Sequence, residues 1–150
     1  MPLLTPNSDT HHIVKFKFKK NIMHQKVSSG AIWESLVGYS RAVRAGNIIE
    51  VAGTTAIEDG KIVGIGNPYE QTNCILNKIK KSIEALGGDI QWVTRTRMFV
   101  TNIQDWQEIG RAHGEMFGEI RPVTTMVEVK ALIDKDLLVE IEATAVMPSN

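Results

Sequence analysis

A two-residue alternation of apolar and polar positions dominates the C-terminal third of the chain. Between residues 121 and 146, Val123, Thr125, Val127 and Val129 fall on one side of an extended backbone and Thr124, Met126 and Glu128 on the other. After a loop over residues 131–136, Val139, Ile141, Ala143 and Ala145 alternate with Leu138, Glu140, Glu142, Thr144 and Val146. Side chains alternate across a strand, so the spacing predicts two strands paired as a hairpin, each with one apolar face. The opposite faces mix carboxylates, hydroxyls and apolar groups. Such a face suits a cleft or a subunit interface.

The rest of the chain carries further periodic runs. Residues 39–45 and 48–54 read as strands flanking Gly46-Asn47, a hairpin turn that tolerates positive φ. In the second of these, Ile49, Val51 and Gly53 share a face opposite Ile48, Glu50 and Ala52. A short first strand is expected over residues 25–29, followed by a connecting segment whose Trp33 plugs the edge of the core. Asp59-Gly60 marks a turn before a brief strand over residues 61–65. Asn67, Pro68 and Glu70 form a helix start, and Cys74, Ile75, Ile79, Ile83 and Leu86 supply a helical stripe that Gly87-Gly88 ends. Residues 91–101 read as a strand with Trp92, Thr94, Thr96, Met98 and Val100 opposite Val93, Arg95, Arg97 and Phe99. A second helix is expected over residues 102–120, with Trp106, Ile109, His113, Met116 and Phe117 at helical spacing.

This order gives an α+β fold, one mostly antiparallel sheet with two helices on one face. The uncovered face, expected to carry Met126, Leu138, Val146 and Phe99, needs a partner surface, which predicts a homo-oligomer. Residues 1–24 differ in character from the remainder of the chain and are expected to form a loosely ordered leader, leaving residues 25–150 as one domain. His11 and His12 have no partners at metal-ligand spacing.

Composition narrows the function classes. With 17 basic and 17 acidic residues the formal net charge is zero, and no basic-aromatic strip stands out, so a nucleic-acid role is disfavoured. The lone cysteine, Cys74, excludes an internal disulfide framework and falls on an apolar stripe, as a buried small residue does. No run approaches the length of a membrane span, and the expected location is cytoplasmic.

The run Arg121-Pro122-Val123-Thr124-Thr125-Met126-Val127-Glu128-Val129, followed by Val139-Glu140-Ile141-Glu142-Ala143, resembles the C-terminal signature of the Rid family, the reactive intermediate deaminases also called the YjgF family. Gly38-Tyr39, Gly46-Asn47, Ala52-Gly53 and Met98-Phe99-Val100 fit the same pattern in the same order, and the resemblance spans residues 27–147. It implies a chorismate-mutase-like subunit, a homotrimer and a small-molecule site in each inter-subunit cleft, with no metal or organic cofactor. By the same resemblance, the backbone at Gly53 and the Tyr39 hydroxyl line the cleft, Glu140 orients the attacking water, and Trp106 walls the neighbouring subunit's cleft. Arg121 stands near the rim.

The sequence departs from the family pattern at one position. Deaminase members read Pro-x-Arg-Ser/Thr, and that arginine clamps the substrate carboxylate; here the position is Thr124. A threonine offers one hydroxyl in place of a charged fork. Arg121, Arg41 and Arg97 are the candidates to replace the charge, and Glu142 competes with Glu140 for the carboxylate role. Two functions from different classes are then open: hydrolytic deamination of enamine or imine metabolites to a carbonyl compound and ammonia, or a non-catalytic ligand-binding or regulatory trimer. A ribonuclease or translation-inhibitor role ranks behind both.

Overall fold

The computed structural model describes residues 24–149, so the expected leader lies outside the described residues apart from His24. Strands β1 (Gln25–Val27), β2 (Ala42–Ala45), β3 (Ile48–Thr54), β6 (Val93–Val100), β7 (Val123–Glu128) and β8 (Val139–Val146) form a six-stranded sheet in the order β1-β2-β3-β8-β6-β7. Strands β4 (Ile57–Glu58) and β5 (Lys61–Ile62) make a separate small hairpin. Helices α1 (Ile32–Val37), α2 (Pro68–Ala85) and α3 (Trp106–Phe117) complete the α+β architecture. No helix among the described residues is long and apolar enough to cross a membrane.

Local chemistry explains the element ends. Asn67 accepts a hydrogen bond from the Glu70 N–H at 3.0 Å, Pro68 opens α2, and the helix closes with the Gly88 N–H donating to the Ile83 carbonyl. Ala45 pairs with Ile48 across the expected two-residue turn, with Gly46 at φ 63°. The apolar faces of both long helices then meet one face of the sheet. Ile75, Ile79 and Ile83 of α2 and Ile109 and Phe117 of α3 share a core with Ile49, Val51, Met98, Val100 and Ile141. Each fully buried branched side chain contributes about 1.5–3 kcal/mol.

Several expectations need correction. The last two strands do not form a hairpin: β6 lies between them, antiparallel to β8 and parallel to β7. A βαβ crossover through α3 places β7 at the sheet edge, and the loop before β8 carries the chain past β6. This reverses the facing of β7. Met126 is the register partner of buried Met98 and packs on the core, so Thr124, Met126 and Glu128 share the helix-covered face. Val123 and Val127 instead face the open side and are 58% and 42% exposed. Leu138 also packs against the core, leaving Phe99 and Val146 on the uncovered face.

Two bulges account for further differences. Between Val51 and Thr54 β3 carries one extra residue against β8, so Thr54 rather than Gly53 continues the buried series. A shift between Val93 and Arg95 in β6 likewise buries Val93 with Thr96 and Met98 and turns Thr94 outward. Trp33 is no core plug. The segment expected to be a connection is α1, and its Trp33 is 48% exposed.

Candidate active site

The bulge in β3 is the origin of the site. Its extra residue turns the Ala52 and Gly53 carbonyls out of the ladder, and Arg41, just before β2, meets them: Nη2 donates to both at 2.6 Å. The Ala52 N–H donates back to the Arg41 carbonyl at 3.0 Å, and the Thr54 hydroxyl donates to the Ala52 carbonyl. Gly53 leaves the space that the Glu140 carboxylate occupies. A Cβ at this position would overlap Oε1 of Glu140, which lies across the bulge from β8.

A short helix supplies the outer wall. Glu34 of α1 accepts from the Ser28 hydroxyl and from the Ser29 N–H and hydroxyl, which fastens α1 against the end of β1. Burial opposes its ionisation, but these hydrogen bonds and the Arg41 charge outweigh it and hold the carboxyl below its ordinary value. Gly38 ends α1 with φ 84°, and the Tyr39 N–H donates to the Glu34 carbonyl, which directs the phenol ring to the rim. From α2, Lys78 Nζ donates to the Thr55 and Ile57 carbonyls at 2.8 and 2.6 Å.

These elements enclose an open cleft of about 990 Å³, lined among others by Trp33, Tyr39, Arg41, Gly53, Lys78 and Glu140. Ile133, from the loop between β7 and β8, also reaches it. Burial pushes the Glu140 carboxyl above its ordinary value; Arg41 pulls it back and Glu142 adds to the rise. Burial lowers the Arg41 and Lys78 pKa values. A half-buried carboxyl with a raised pKa beside a cation is able to hold a proton and to release it.

Tyr39, Gly53 and Glu140 therefore converge in one subunit, and Thr124, Arg121 and Trp106 do not join them. The Thr124 hydroxyl lies on the helix side of β7, 2.7 Å from that of Thr96, which is 2.8 Å from Nε2 of buried His113. Arg121 has φ 51° and bonds the Gly118 carbonyl through Nε, while Trp106 opens α3 and is 55% exposed. Thr124 and Glu140 thus occupy opposite faces of the sheet, with β6 between their strands. Glu142 does not line the cleft; it pairs with Arg97 at 2.7 Å on the open face.

Sequence reasoning gave no role to Lys78, Glu34 or Trp33 in the cleft. Lys78 had one visible signal, a lysine four residues after Cys74 on the border of the α2 stripe. Ser28, Ser29 and Glu34 show no recognisable spacing, because their contact exists only once α1 folds back.

Comparison with known proteins agrees with the fold. The family described as Endoribonuclease L-PSP matches residues 30–147. A Streptomyces coelicolor protein described as uncharacterized is 41% identical over 121 residues, covering 81% of this chain and 90% of its own. The 3-aminoacrylate deaminase RutC of Acinetobacter baylyi is 32% identical over 111 residues, 73% of this chain and 87% of its own. Among solved structures, a Mycobacterium tuberculosis member of the YjgF/YER057c/UK114 family superposes with a TM-score of 0.76 at 47% identity, covering 83% of this chain and all of the other. With the signature around residues 121–129 and 139–143, these matches make the chain a member of the Endoribonuclease L-PSP family, the YjgF or Rid family.

Proposed function

We propose that the protein is a Rid-type hydrolase that converts enamine or imine metabolites to carbonyl compounds and ammonia in a cleft completed by a second subunit of a homotrimer. The carrying observation is the half-buried Glu140 carboxyl with its raised pKa, lying over the Gly53 backbone and facing Tyr39 and Arg41 across one cleft. Supporting the assembly, the edge strand β7 leaves Val123 and Val127 uncovered, and Ile32, Leu36, Val37, Trp106 and Ile133 are each more than half exposed. A neighbouring subunit brings the Thr124 and Trp106 edge against the Tyr39–Gly53–Glu140 wall, which reunites the residues that one protomer keeps apart.

The chemistry asks little of the protein. An enamine first takes a proton on carbon from the Glu140 carboxylic acid and becomes an iminium ion. Water then adds to the iminium carbon, the C=N electron pair moves to nitrogen, and the Glu140 carboxylate receives a water proton. Returning that proton to nitrogen lets the C–N bond break, and ammonia leaves as the hydroxyl gives its proton to the Glu140 carboxylate and becomes the carbonyl, which regenerates the acid. A carboxyl whose pKa burial raises serves both as acid and as base.

Release of ammonia and keto acid from freshly generated 2-iminobutanoate tests the proposal, comparing the wild type with Glu140→Ala and Thr124→Arg. Wild-type turnover that is lost in Glu140→Ala is the expected result. Turnover that survives in Glu140→Ala removes Glu140 from the reaction, and silence on imines of every class leaves the non-catalytic trimer as the reading.

A further inference from the structure

We infer that Arg41 is the anion-binding residue of the cleft, anchoring a carboxylate on the substrate so that its reacting carbon lies toward Glu140. This deepens the hydrolytic reading and rests on it for the reaction, while the anion site itself stands on Arg41's own geometry. Of the three arginines able to replace a missing clamp, Arg97 is turned to the open face and paired with Glu142. Arg121 is bonded to the Gly118 carbonyl in the loop before β7 and does not line the cleft. Arg41 does line it.

The donors of Arg41 are unequally used. Nη2 is directed at the Ala52 and Gly53 carbonyls. Nε is buried without an acceptor, and Nη1 makes no hydrogen bond among the described residues. Buried N–H groups of a charged side chain are rarely left unpaired, so Arg41 is short of acceptors among the described residues, and Nη1 is the donor left for a ligand in the cleft. The carboxylates nearby do not meet the need. Glu34 is held by Ser28 and Ser29, and Glu140 attracts Arg41 without forming an ion pair with it. The other half-buried cation, Lys78, is directed at two backbone carbonyls.

Fixing Nη2 on the bulge holds the guanidinium rigidly, so an anion meeting Nη1 meets a pre-oriented donor. A carboxylate is the matching class: planar, singly charged and small enough to share the cleft with the reacting carbon. An anion there also favours the protonated form of Glu140, as its acid role requires.

Isothermal titration of the assembled protein with 2-oxobutanoate and with its neutral amide tests the inference, using the wild type, Arg41→Gln and Arg41→Lys. The wild type is expected to bind the acid at least about 10-fold more tightly than the amide, and Arg41→Gln to lose about 10- to 100-fold for the acid alone. Arg41→Lys, which keeps the charge, should fall between them. Equal wild-type affinity for acid and amide overturns the inference even where Arg41→Gln fails to fold. So does parallel weakening of both ligands in Arg41→Gln, which assigns Arg41 to holding the bulge. Arg41-dependent acid binding without ammonia release sinks the hydrolytic reading and leaves the anion site. Ammonia release with an unchanged KM for 2-iminobutanoate in Arg41→Gln does the reverse.

Discussion

The wall at β2, β3 and β8 and the edge strand β7 are built on opposite plans. At the wall, charge is drawn inward: Glu140 and Arg41 are half-buried, a bulge exposes two carbonyls, and an arginine N–H is left without an acceptor. At the edge, polar groups satisfy one another on the inside, through Thr124, Thr96 and His113, while valines face outward. One region holds unspent polarity and the other unspent apolar surface. The difference teaches why the proposed assembly pairs them. In that assembly, a copy of the edge laid on the wall covers the valines and closes the cleft.

The sharpest way to break this comparison is to charge the edge. Val127→Glu places a carboxylate on the open face of β7, and the expected outcome by sedimentation velocity is loss of the assembled species, with ammonia release falling along with it. A Val127→Glu protein that remains assembled and active shows that β7 is not a subunit contact. Next in size comes the wall. Glu140→Gln keeps the shape and removes the titrating proton, so kcat is expected to fall about 10²- to 10⁴-fold, while the sedimentation profile stays that of the wild type.

A third variant pair contrasts neighbours in one strand. Ile141 is fully buried under the helices, and Glu140 points to the cleft. Ile141→Ala is expected to lose about 2–5 kcal/mol of unfolding free energy. Glu140→Ala, which removes a carboxyl that burial makes harder to ionise, is expected to leave stability unchanged or raised at neutral pH. Chemical denaturation of both variants reads the contrast, and equal losses would erase the distinction between core side and cleft side of β8.

Much of this was legible in the residues, and the part that was not has a common cause. The α2 start at Asn67, Pro68 and Glu70, the Ile75–Ile79–Ile83 stripe and the Gly46 turn are local, each written within one or two turns of chain. The bulges in β3 and β6 were invisible, because an extra residue is defined only against the partner strand. That is why Gly53 was expected on the same strand face as Ile49 and Val51, which Thr54 continues instead. The facing of β7 failed for the same reason: alternation names two faces without saying which one meets the helices. Its valines read as core, yet the crossover through α3 turns them outward. The candidate site was legible in part. Tyr39, Gly53 and Glu140 meet, whereas Thr124 is drawn toward His113 through Thr96, which lies 17 residues from the histidine and 28 from Thr124.

The two regions should also differ in how protons affect stability, a smaller effect than the preceding ones. Burial lowers the His113 pKa from 6.5, so in the window below 6.5 the unfolded chain binds more protons than the folded one. Stability then rises as pH rises through that window. Burial raises the Glu140 pKa from 4.5, so in the window above 4.5 the folded chain binds more protons, and stability falls as pH rises. The two slopes oppose each other in the wild type. Unfolding free energies measured between about pH 4.5 and 6.5, the ordinary values of the two groups, are expected to show the stability of the wild type relative to His113→Phe growing with pH. The stability of the wild type relative to Glu140→Gln should shrink over the same range. Parallel curves for all three proteins would mean that neither buried group titrates differently in the folded chain, and the contrast between a polar wall and a self-satisfied edge would then rest on geometry alone.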